Sequence, residues 1–139
     1  VWTINPEHDS FEEIILRMRS FSYNLFRAKN IDHVFRADES LNDLKLSLEN
    51  RRNFYLFFKE AINNLIKHSA ASRSEIQLSY EDRFIVLIIR DNGKGFDTSQ
   101  EYNGNGISSM RKRADEMKGL LSIESSLNSG TTIQLKIRT

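Results

Sequence analysis

Residues 58–68 read Phe58-Lys59-Glu60-Ala61-Ile62-Asn63-Asn64-Leu65-Ile66-Lys67-His68. This stretch ends a run of apolar residues at helical spacing, which predicts a long helix from about Leu48 to His68. Glu60, Asn64 and Lys67 are four and three residues apart, so they share one helical face, away from the apolar stripe. An acid, an amide and an ammonium so aligned suit Mg²⁺ and a phosphate chain, because Mg²⁺ takes hard oxygen ligands and lysine supplies a point charge. A solvated face with side-chain contacts is the alternative, and for this stretch alone it is the commoner case.

A second informative stretch, residues 91–97, reads Asp91-Asn92-Gly93-Lys94-Gly95-Phe96-Asp97. It follows an apolar run over residues 84–89, which predicts a strand covered on both faces. A carboxylate at the end of a strand, Asp91, can accept a hydrogen bond from an exocyclic amine such as that of adenine. Gly93 and Gly95 allow sharp turns and a close approach to a ligand. The alternative is a hairpin, since Asn-Gly is a strong turn signal, although residues 94–100 do not read as a returning strand.

Two more glycine-containing stretches precede regular elements. Gly104-Asn105-Gly106 comes before a helix predicted over residues 107–118, and free amides at a helix start can bind an anion. Arg111 and Arg113 in this helix could add positive charge there. Gly119 is a suitable stop signal for the helix. Ser129-Gly130-Thr131-Thr132 precedes the last strand and taken alone indicates only a turn.

The remaining patterns complete the fold prediction. A first helix begins after Ser10, which can cap it, and strands are predicted over residues 31–35, 74–80, 120–125 and 131–138. The order is helix, strand, helix, strand, strand, loop, helix, strand, strand. Strands that follow one another in pairs predict an α+β fold, a two-layer sandwich with a mixed sheet of about five strands and helices on one face.

Composition narrows the function classes. The chain has 139 residues, with 20 basic and 19 acidic side chains and a net charge of +1, which gives no electrostatic reason to expect nucleic-acid or membrane-surface binding. It has no cysteine, which excludes disulfides and thiolate metal sites. The longest apolar run is too short to span a bilayer.

The four motifs, in this order, resemble those of the GHKL ATPase superfamily and, within it, the sensor histidine kinases. Residues 58–68 match the N box, residues 91–97 the first glycine box, residues 104–106 the second, and Gly130-Thr131 the third. Residues 106–114 and the Asn64-to-His68 ending of the N box are similar to a short-lid subfamily that includes nitrate-sensor-type kinases. Residues 1–9 look like the linker that leaves the dimerisation helices of that subfamily.

The resemblance implies a Bergerat-type sandwich with a linker over residues 1–10 and the catalytic domain over residues 11–139. It implies ATP and Mg²⁺ as cofactors. Asn64 would hold Mg²⁺, Lys67 would contact phosphate, and Glu60 would lie near the metal and its water.

On the adenine side, the resemblance implies that Asp91 binds the amino group, helped by Thr131 through water. Gly93 and Gly95 would border the adenine pocket. Residues 97–105 would form a short lid, with Gly104 and Gly106 around the phosphates.

The reaction implied is transfer of the ATP γ-phosphoryl group to a histidine. His8, His33 and His68 are not in a recognisable acceptor motif, so we expect this chain to bind ATP without completing the transfer alone. The implied partners are the dimerisation and phosphoacceptor domain of a parent kinase and a response-regulator receiver domain, with no nucleic acid and no direct membrane contact. We expect a cytoplasmic, monomeric domain of a homodimeric parent, and an inner-membrane sensor as parent is compatible with this.

Three alternatives share these motifs. A serine-protein kinase of the anti-sigma-factor type has the same nucleotide boxes but phosphorylates a separate protein. A non-catalytic module would use ATP only to gate protein contacts, or would bind no nucleotide at all. A gyrase- or chaperone-type ATPase needs further domains for dimer closure.

Overall fold

The computed structural model describes residues 10–96 and 107–139. These residues form three α-helices and five strands, with a short 3-10 helix at Glu39–Leu41. In chain order the elements are α1 (Phe11–Ala28), β1 (Asp32–Ala37), α2 (Leu48–His68), β2 (Arg73–Glu81), β3 (Phe84–Asp91), α3 (Ile107–Glu116), β4 (Leu120–Ser125) and β5 (Thr131–Arg138). The predicted linker over residues 1–9 lies outside the described residues.

Both long helices begin at a serine cap. The Ser10 side chain accepts a hydrogen bond from the Glu13 N–H at 3.3 Å, and Ser47 accepts one from the Asn50 N–H at 3.1 Å. Each cap satisfies an amide that the first turn of a helix leaves free. The prediction of a helix that begins after Ser10 is confirmed, and so are the bounds predicted for α2.

The strands form one mixed sheet in the order β1-β2-β3-β5-β4. The β1–β2 pair is parallel, and the other three pairs are antiparallel. A parallel pair needs a long crossover connection, which α2 provides between β1 and β2. The predicted α+β fold with a mixed five-stranded sheet is confirmed, although β1 runs from Asp32 to Ala37 rather than over residues 31–35.

The prediction that β3 is covered on both faces is confirmed only in part. Ile85, Leu87 and Ile89 belong to the core that packs against the helices. Val86 is only 4% exposed but lies outside that core, and Ile88 is half-buried. A continuous apolar run does not reveal which alternate residues meet a second layer, so the run alone could not settle this point.

Gly119 does not end α3 in the way the sequence suggested. The left-handed position is taken by Lys118, with φ of 54°, and the Gly119 N–H then bonds the Ala114 carbonyl at 2.8 Å. This is a Schellman ending with lysine where glycine is usual. At Gly119 a Cβ would lie 3.0 Å from Ile137 Cγ2 and 3.1 Å from the Lys136 carbonyl oxygen, so the small residue is needed for close packing on β5.

The helices of the described part of the chain are not candidates for membrane spans, because none combines sufficient length with sufficient apolar character.

Candidate functional site

One cavity of about 490 Å³ opens between α2, α3 and the ends of the central strands. Its volume lies within the range of about 300–1,000 Å³ that is common for small-molecule sites. Several predicted site residues line it, namely Asn64, Asp91, Gly95 and Thr131. The structure therefore brings together residues that are far apart in the sequence.

Asp91 is the last residue of β3 and provides the carboxylate of the cavity. It pairs in register with Ser74 of β2 and with Thr131 of β5. The Gly93 N–H donates to Asp91 Oδ1 at 2.8 Å. Burial raises the pKa of Asp91 above its ordinary value, while hydrogen bonds from the Gly93 and Thr131 backbone amides lower it and so partly offset the burial. These contacts fix a partly desolvated acceptor at the cavity wall, as recognition of an amine requires.

Gly93, two residues after Asp91, is required because the loop after β3 lies in close contact with the end of α2. A Cβ at Gly93 would overlap the Ser69 backbone, and the Lys94 N–H bonds the Ser69 carbonyl at 2.7 Å. The loop that carries Asp91 is therefore fastened directly to the end of α2. Any side chain at position 93 would push these two walls of the cavity apart.

Asn92 rules out the hairpin interpretation of Asn92-Gly93. Its side-chain oxygen accepts from the Ser72 and Arg73 N–H groups, both at 2.9 Å. Its amide nitrogen donates to Ser72 Oγ at 2.9 Å. β3 pairs with β5 instead of turning back on itself, so Asn92 is a brace for the start of β2.

The β4–β5 turn forms the adjoining wall. Gly130 has φ of +77°, and a Cβ there would overlap the Asp91 carbonyl oxygen. The Thr131 hydroxyl lies 2.8 Å from Ser125 Oγ, and Ser125 Oγ accepts from the Phe96 N–H at 2.9 Å. Thr131 thus contacts Asp91 through its backbone amide, while its hydroxyl braces the loop that follows Asp91.

Asn64 is the predicted residue with the clearest sign of a missing partner. It lines the cavity, and its Oδ1 is buried without a hydrogen-bond partner among residues 10–96 and 107–139. Leaving a buried acceptor unsatisfied costs about 1–3 kcal/mol. An oxygen placed in this way suits a hard cation or a hydrogen-bond donor that enters with a ligand.

Glu60 lies one turn before Asn64 on α2 and is engaged by α3. Its Oε1 accepts from Arg113 Nε at 3.0 Å, with the two side chains 26% and 29% exposed. Arg113 also donates to Asn53 Oδ1 at 3.3 Å. The second carboxylate oxygen, Oε2, is buried without a partner in the described part of the chain. The suggestion that Arg113 adds positive charge at an anion site stays a prediction, and in this structure its guanidinium is held by α2.

The face of α2 that lines the cavity differs from the predicted one. Ala61, Asn64, Leu65 and His68 line it, while Glu60 and Lys67 do not. Successive helical residues are about 100° apart, so the cavity is centred on the border between the polar and apolar faces. Lys67 is exposed, and its contact with phosphate remains a prediction.

The apolar lining of the cavity was not predicted from the sequence. The remaining apolar side chains that line it are Phe96, Ile107, Met110, Ile123, Leu127 and Ile133. A cavity wall and a core have the same apolar periodicity, so the pattern alone does not separate them. Leu127 offered a distinct signal, since it is an apolar residue in the polar turn over residues 126–130; in the structure it is 67% exposed. Gly104, Gly106 and the predicted lid lie outside the described residues.

The family of the chain can now be stated. A family model described as "Histidine kinase-, DNA gyrase B-, and HSP90-like ATPase" matches residues 49–139, which is more than half of the chain. The chain belongs to this ATPase family. Membership implies ATP binding, and the resemblance drawn from the four boxes is confirmed. The more detailed assignment to a short-lid subfamily stays a prediction.

Two curated relatives are histidine kinases or sensors by name. The chain is 28% identical over 107 residues to the signal transduction histidine-protein kinase/phosphatase DegS of Bacillus subtilis, which covers 74% of this chain and 28% of DegS. It is 32% identical over 97 residues to the sensor protein VraS of Staphylococcus aureus, which covers 69% of this chain and 28% of VraS. The chain thus spans little more than a quarter of either relative.

Solved structures share the fold. The catalytic domain of the histidine kinase ThkA superposes with a TM-score of 0.75 at 19% identity, covering 94% of both chains. The Acinetobacter baumannii histidine kinase AdeS gives a TM-score of 0.74 at 16% identity, covering 93% of this chain and 64% of AdeS. At these identities the likeness supports the architecture alone.

Proposed function

We propose that this chain is the ATP-binding catalytic domain of a sensor histidine kinase in a two-component system. In this role it presents Mg²⁺-bound ATP for transfer of the γ-phosphoryl group to a histidine outside the chain. The observation that carries the proposal is a single cavity with a buried carboxylate, Asp91, on one wall and an unpartnered buried amide oxygen, Asn64 Oδ1, on another. One suits the adenine amine and the other suits the metal side of the triphosphate.

The adenine end is formed by residues where β3 ends and β5 begins. Asp91 accepts from the exocyclic amine, which gives selectivity for adenine because guanine presents a carbonyl oxygen at that position. Thr131 assists through water, and Gly93 and Gly95 keep the backbone close to the base. Apolar residues such as Ile133 and Met110 exclude water from the faces of the ring.

The phosphate end is formed by α2. Asn64 would hold Mg²⁺ here, and the ion would supply positive charge that offsets the charge developing during phosphoryl transfer. Asn64 fits a magnesium ligand because its buried oxygen lacks a partner, and Mg²⁺ commonly takes few protein ligands and keeps several waters. Glu60 would lie near the metal and its water, and Lys67 would supply charge to the phosphates. Gly104 and Gly106 complete the phosphate contacts in this proposal.

The reaction needs groups from elsewhere in the parent protein. Phosphoryl transfer depends mainly on positioning and charge stabilisation, so this domain holds the nucleotide while a dimerisation domain offers the acceptor histidine. A response-regulator receiver then takes the phosphoryl group. We propose residues 1–10 as the linker and residues 11–139 as the catalytic domain, monomeric alone and cytoplasmic within a homodimeric parent.

Calorimetric titration tests the nucleotide site directly. The domain is titrated with ADP, a non-hydrolysable ATP analogue and GTP, each with and without Mg²⁺. The proposal predicts binding that is selective for adenine and assisted by Mg²⁺. An absence of binding by all three ligands would refute it.

A second experiment identifies the acceptor. The full-length parent is labelled with ATP carrying a radioactive γ-phosphate, and the product is treated with acid and with base. Phosphohistidine is lost in acid and survives base, whereas phosphoserine does the opposite. Acid-stable label on a separate protein would favour the serine-kinase alternative, and an absence of label on any protein, despite ATP binding, would favour the nucleotide-gated module.

A further inference from the structure

Arg113 joins α3 to α2 next to the proposed magnesium side of the site. Its Nε donates to Glu60 Oε1 at 3.0 Å, and its NH1 group donates to Asn53 Oδ1 at 3.3 Å. Two acceptors on α2 therefore hold the guanidinium in one orientation. Charge-assisted bonds of this kind are stronger and more directional than neutral ones.

The position of Glu60 gives this contact its significance. Glu60 and Asn64 are four residues apart on α2, so their side chains are neighbours on the helix surface. Each has one buried oxygen that no described residue satisfies with a hydrogen bond, Glu60 Oε2 and Asn64 Oδ1. Arg113 engages only Oε1, which leaves Oε2 as a fixed acceptor beside the amide oxygen of Asn64.

We propose that Arg113 is a positioning residue for the magnesium side of the nucleotide site. It would act through Glu60, which borders the cavity-lining Asn64 without lining the cavity itself, by holding the carboxylate so that Oε2 can accept a hydrogen bond from a water on the metal when the ion is bound. This inference rests on the proposed function, because it assumes that Mg²⁺ binds at Asn64. It goes beyond the sequence-based expectation, in which Arg113 only adds positive charge near the start of α3.

The α3 helix also contributes Ile107 and Met110 to the cavity. The Glu60–Arg113 pair therefore ties a wall of the nucleotide cavity to the acidic residue next to the metal ligand. If the pair is broken, the carboxylate can rotate or take up water, and the metal loses a fixed outer partner. Outer partners of this kind commonly contribute about 10–100-fold to metal affinity.

The test compares nucleotide affinity with and without Mg²⁺ in four proteins. Wild type, Arg113→Met, Glu60→Gln and the double variant are titrated with the ATP analogue. We expect Arg113→Met to reduce the Mg²⁺-dependent gain in affinity by about tenfold, while the affinity without Mg²⁺ changes by less than about twofold. Because Arg113 acts through Glu60, the double variant should match Glu60→Gln rather than lose further affinity.

Two controls separate positioning from general damage. Lys112→Met removes an exposed cation next to Arg113 on the same helix and should leave the Mg²⁺-dependent gain unchanged. Arg113→Lys keeps the charge and one donor group, so it should restore part of the gain. If Arg113→Met unfolds the domain, the Mg²⁺-dependent gain in affinity is compared between Arg113→Lys and Lys112→Met instead.

The outcomes are distinguishable. Equal loss with and without Mg²⁺ in Arg113→Met would overturn the inference, because a direct phosphate contact or a purely structural role acts in both conditions. An unchanged Mg²⁺-dependent gain would overturn it too. A wild type that binds nucleotide with no Mg²⁺-dependent gain would instead refute the proposed metal site at Asn64.

Discussion

The two sides of α2 differ in how completely their side chains find contacts within the chain. On the core side, Phe54, Phe58 and Ile62 are fully buried, and Phe58 meets Phe35 with ring centroids 6.2 Å apart. On the polar side, Glu60 and the cavity-lining Asn64 each keep a buried oxygen without a partner among the described residues. The same 21-residue helix therefore has one side that folding completes and one side on which two buried oxygens are left unsatisfied by residues 10–96 and 107–139.

The difference separates residues that stabilise the fold from residues that await a ligand. Apolar side chains gain free energy by leaving water, whereas an unsatisfied acceptor loses it. Proteins tolerate such losses at functional sites, where a bound group restores the missing contacts. Substitutions on the core side should therefore change stability, and those on the polar side should change binding.

The largest expected effect is on the core side. Phe58→Ala should lower the free energy of unfolding by about 3–5 kcal/mol, because it leaves a cavity beside Phe35. Urea unfolding followed by circular dichroism measures this change. Nucleotide affinity of the molecules that remain folded should stay within about twofold. A large loss of affinity in folded molecules would mean that the two sides of α2 are coupled.

The next effect is loss of nucleotide binding at the end of β3. Asp91→Ala should weaken the binding of adenine nucleotides by about 100-fold or more. A charge-assisted bond contributes about 1.5–3 kcal/mol, and without it the adenine amine is left unpaired. Asp115→Ala, at an exposed position on α3, is the matched control. Calorimetry that finds the same affinity in Asp91→Ala and wild type would remove Asp91 from the site.

Sequence reasoning predicted α2 well because its apolar residues recur at helical spacing. It predicted the mixed sheet because paired strands follow one another in the chain. It could not predict that Gly93 is held against Ser69 or that Arg113 reaches Glu60, since both contacts join residues far apart in the chain. Spacing also put Glu60, Asn64 and Lys67 on one face, but the cavity lies at the border between the polar and apolar faces of α2, so only Asn64 of the three lines it.

A smaller effect is expected at Asn64. Asn64→Ala should reduce the Mg²⁺-dependent part of ATP-analogue affinity by about tenfold, since one metal ligand is lost. The nucleotide-free domain should be no less stable, because the substitution removes an unsatisfied buried oxygen. Asn63→Ala, at the exposed neighbouring position, should change neither quantity.

Thermal unfolding and calorimetry together decide the role of Asn64. A clear loss of stability in nucleotide-free Asn64→Ala would show that its side chain supports the fold. Equal weakening with and without Mg²⁺ would count against a role as metal ligand.

The smallest effect concerns the pH dependence of stability at Asp91. Burial raises the pKa of Asp91 above its ordinary value of 3.8. Between that value and the raised one, the folded state keeps a proton that the unfolded state has lost. By linkage, this group lowers the free energy of unfolding as pH rises through the interval, and its effect is constant above it.

Asp91→Asn should remove this dependence, because the amide does not titrate while its oxygen can still accept from the Gly93 N–H. Urea unfolding of both proteins between about pH 4 and about pH 7 should show the variant gaining stability relative to wild type as pH rises. Any altered contact with the Thr131 N–H adds a constant and leaves this slope unchanged. A difference that stays flat across the range would mean that Asp91 is well solvated without nucleotide. Its side of the cavity would then resemble ordinary surface rather than a preformed site.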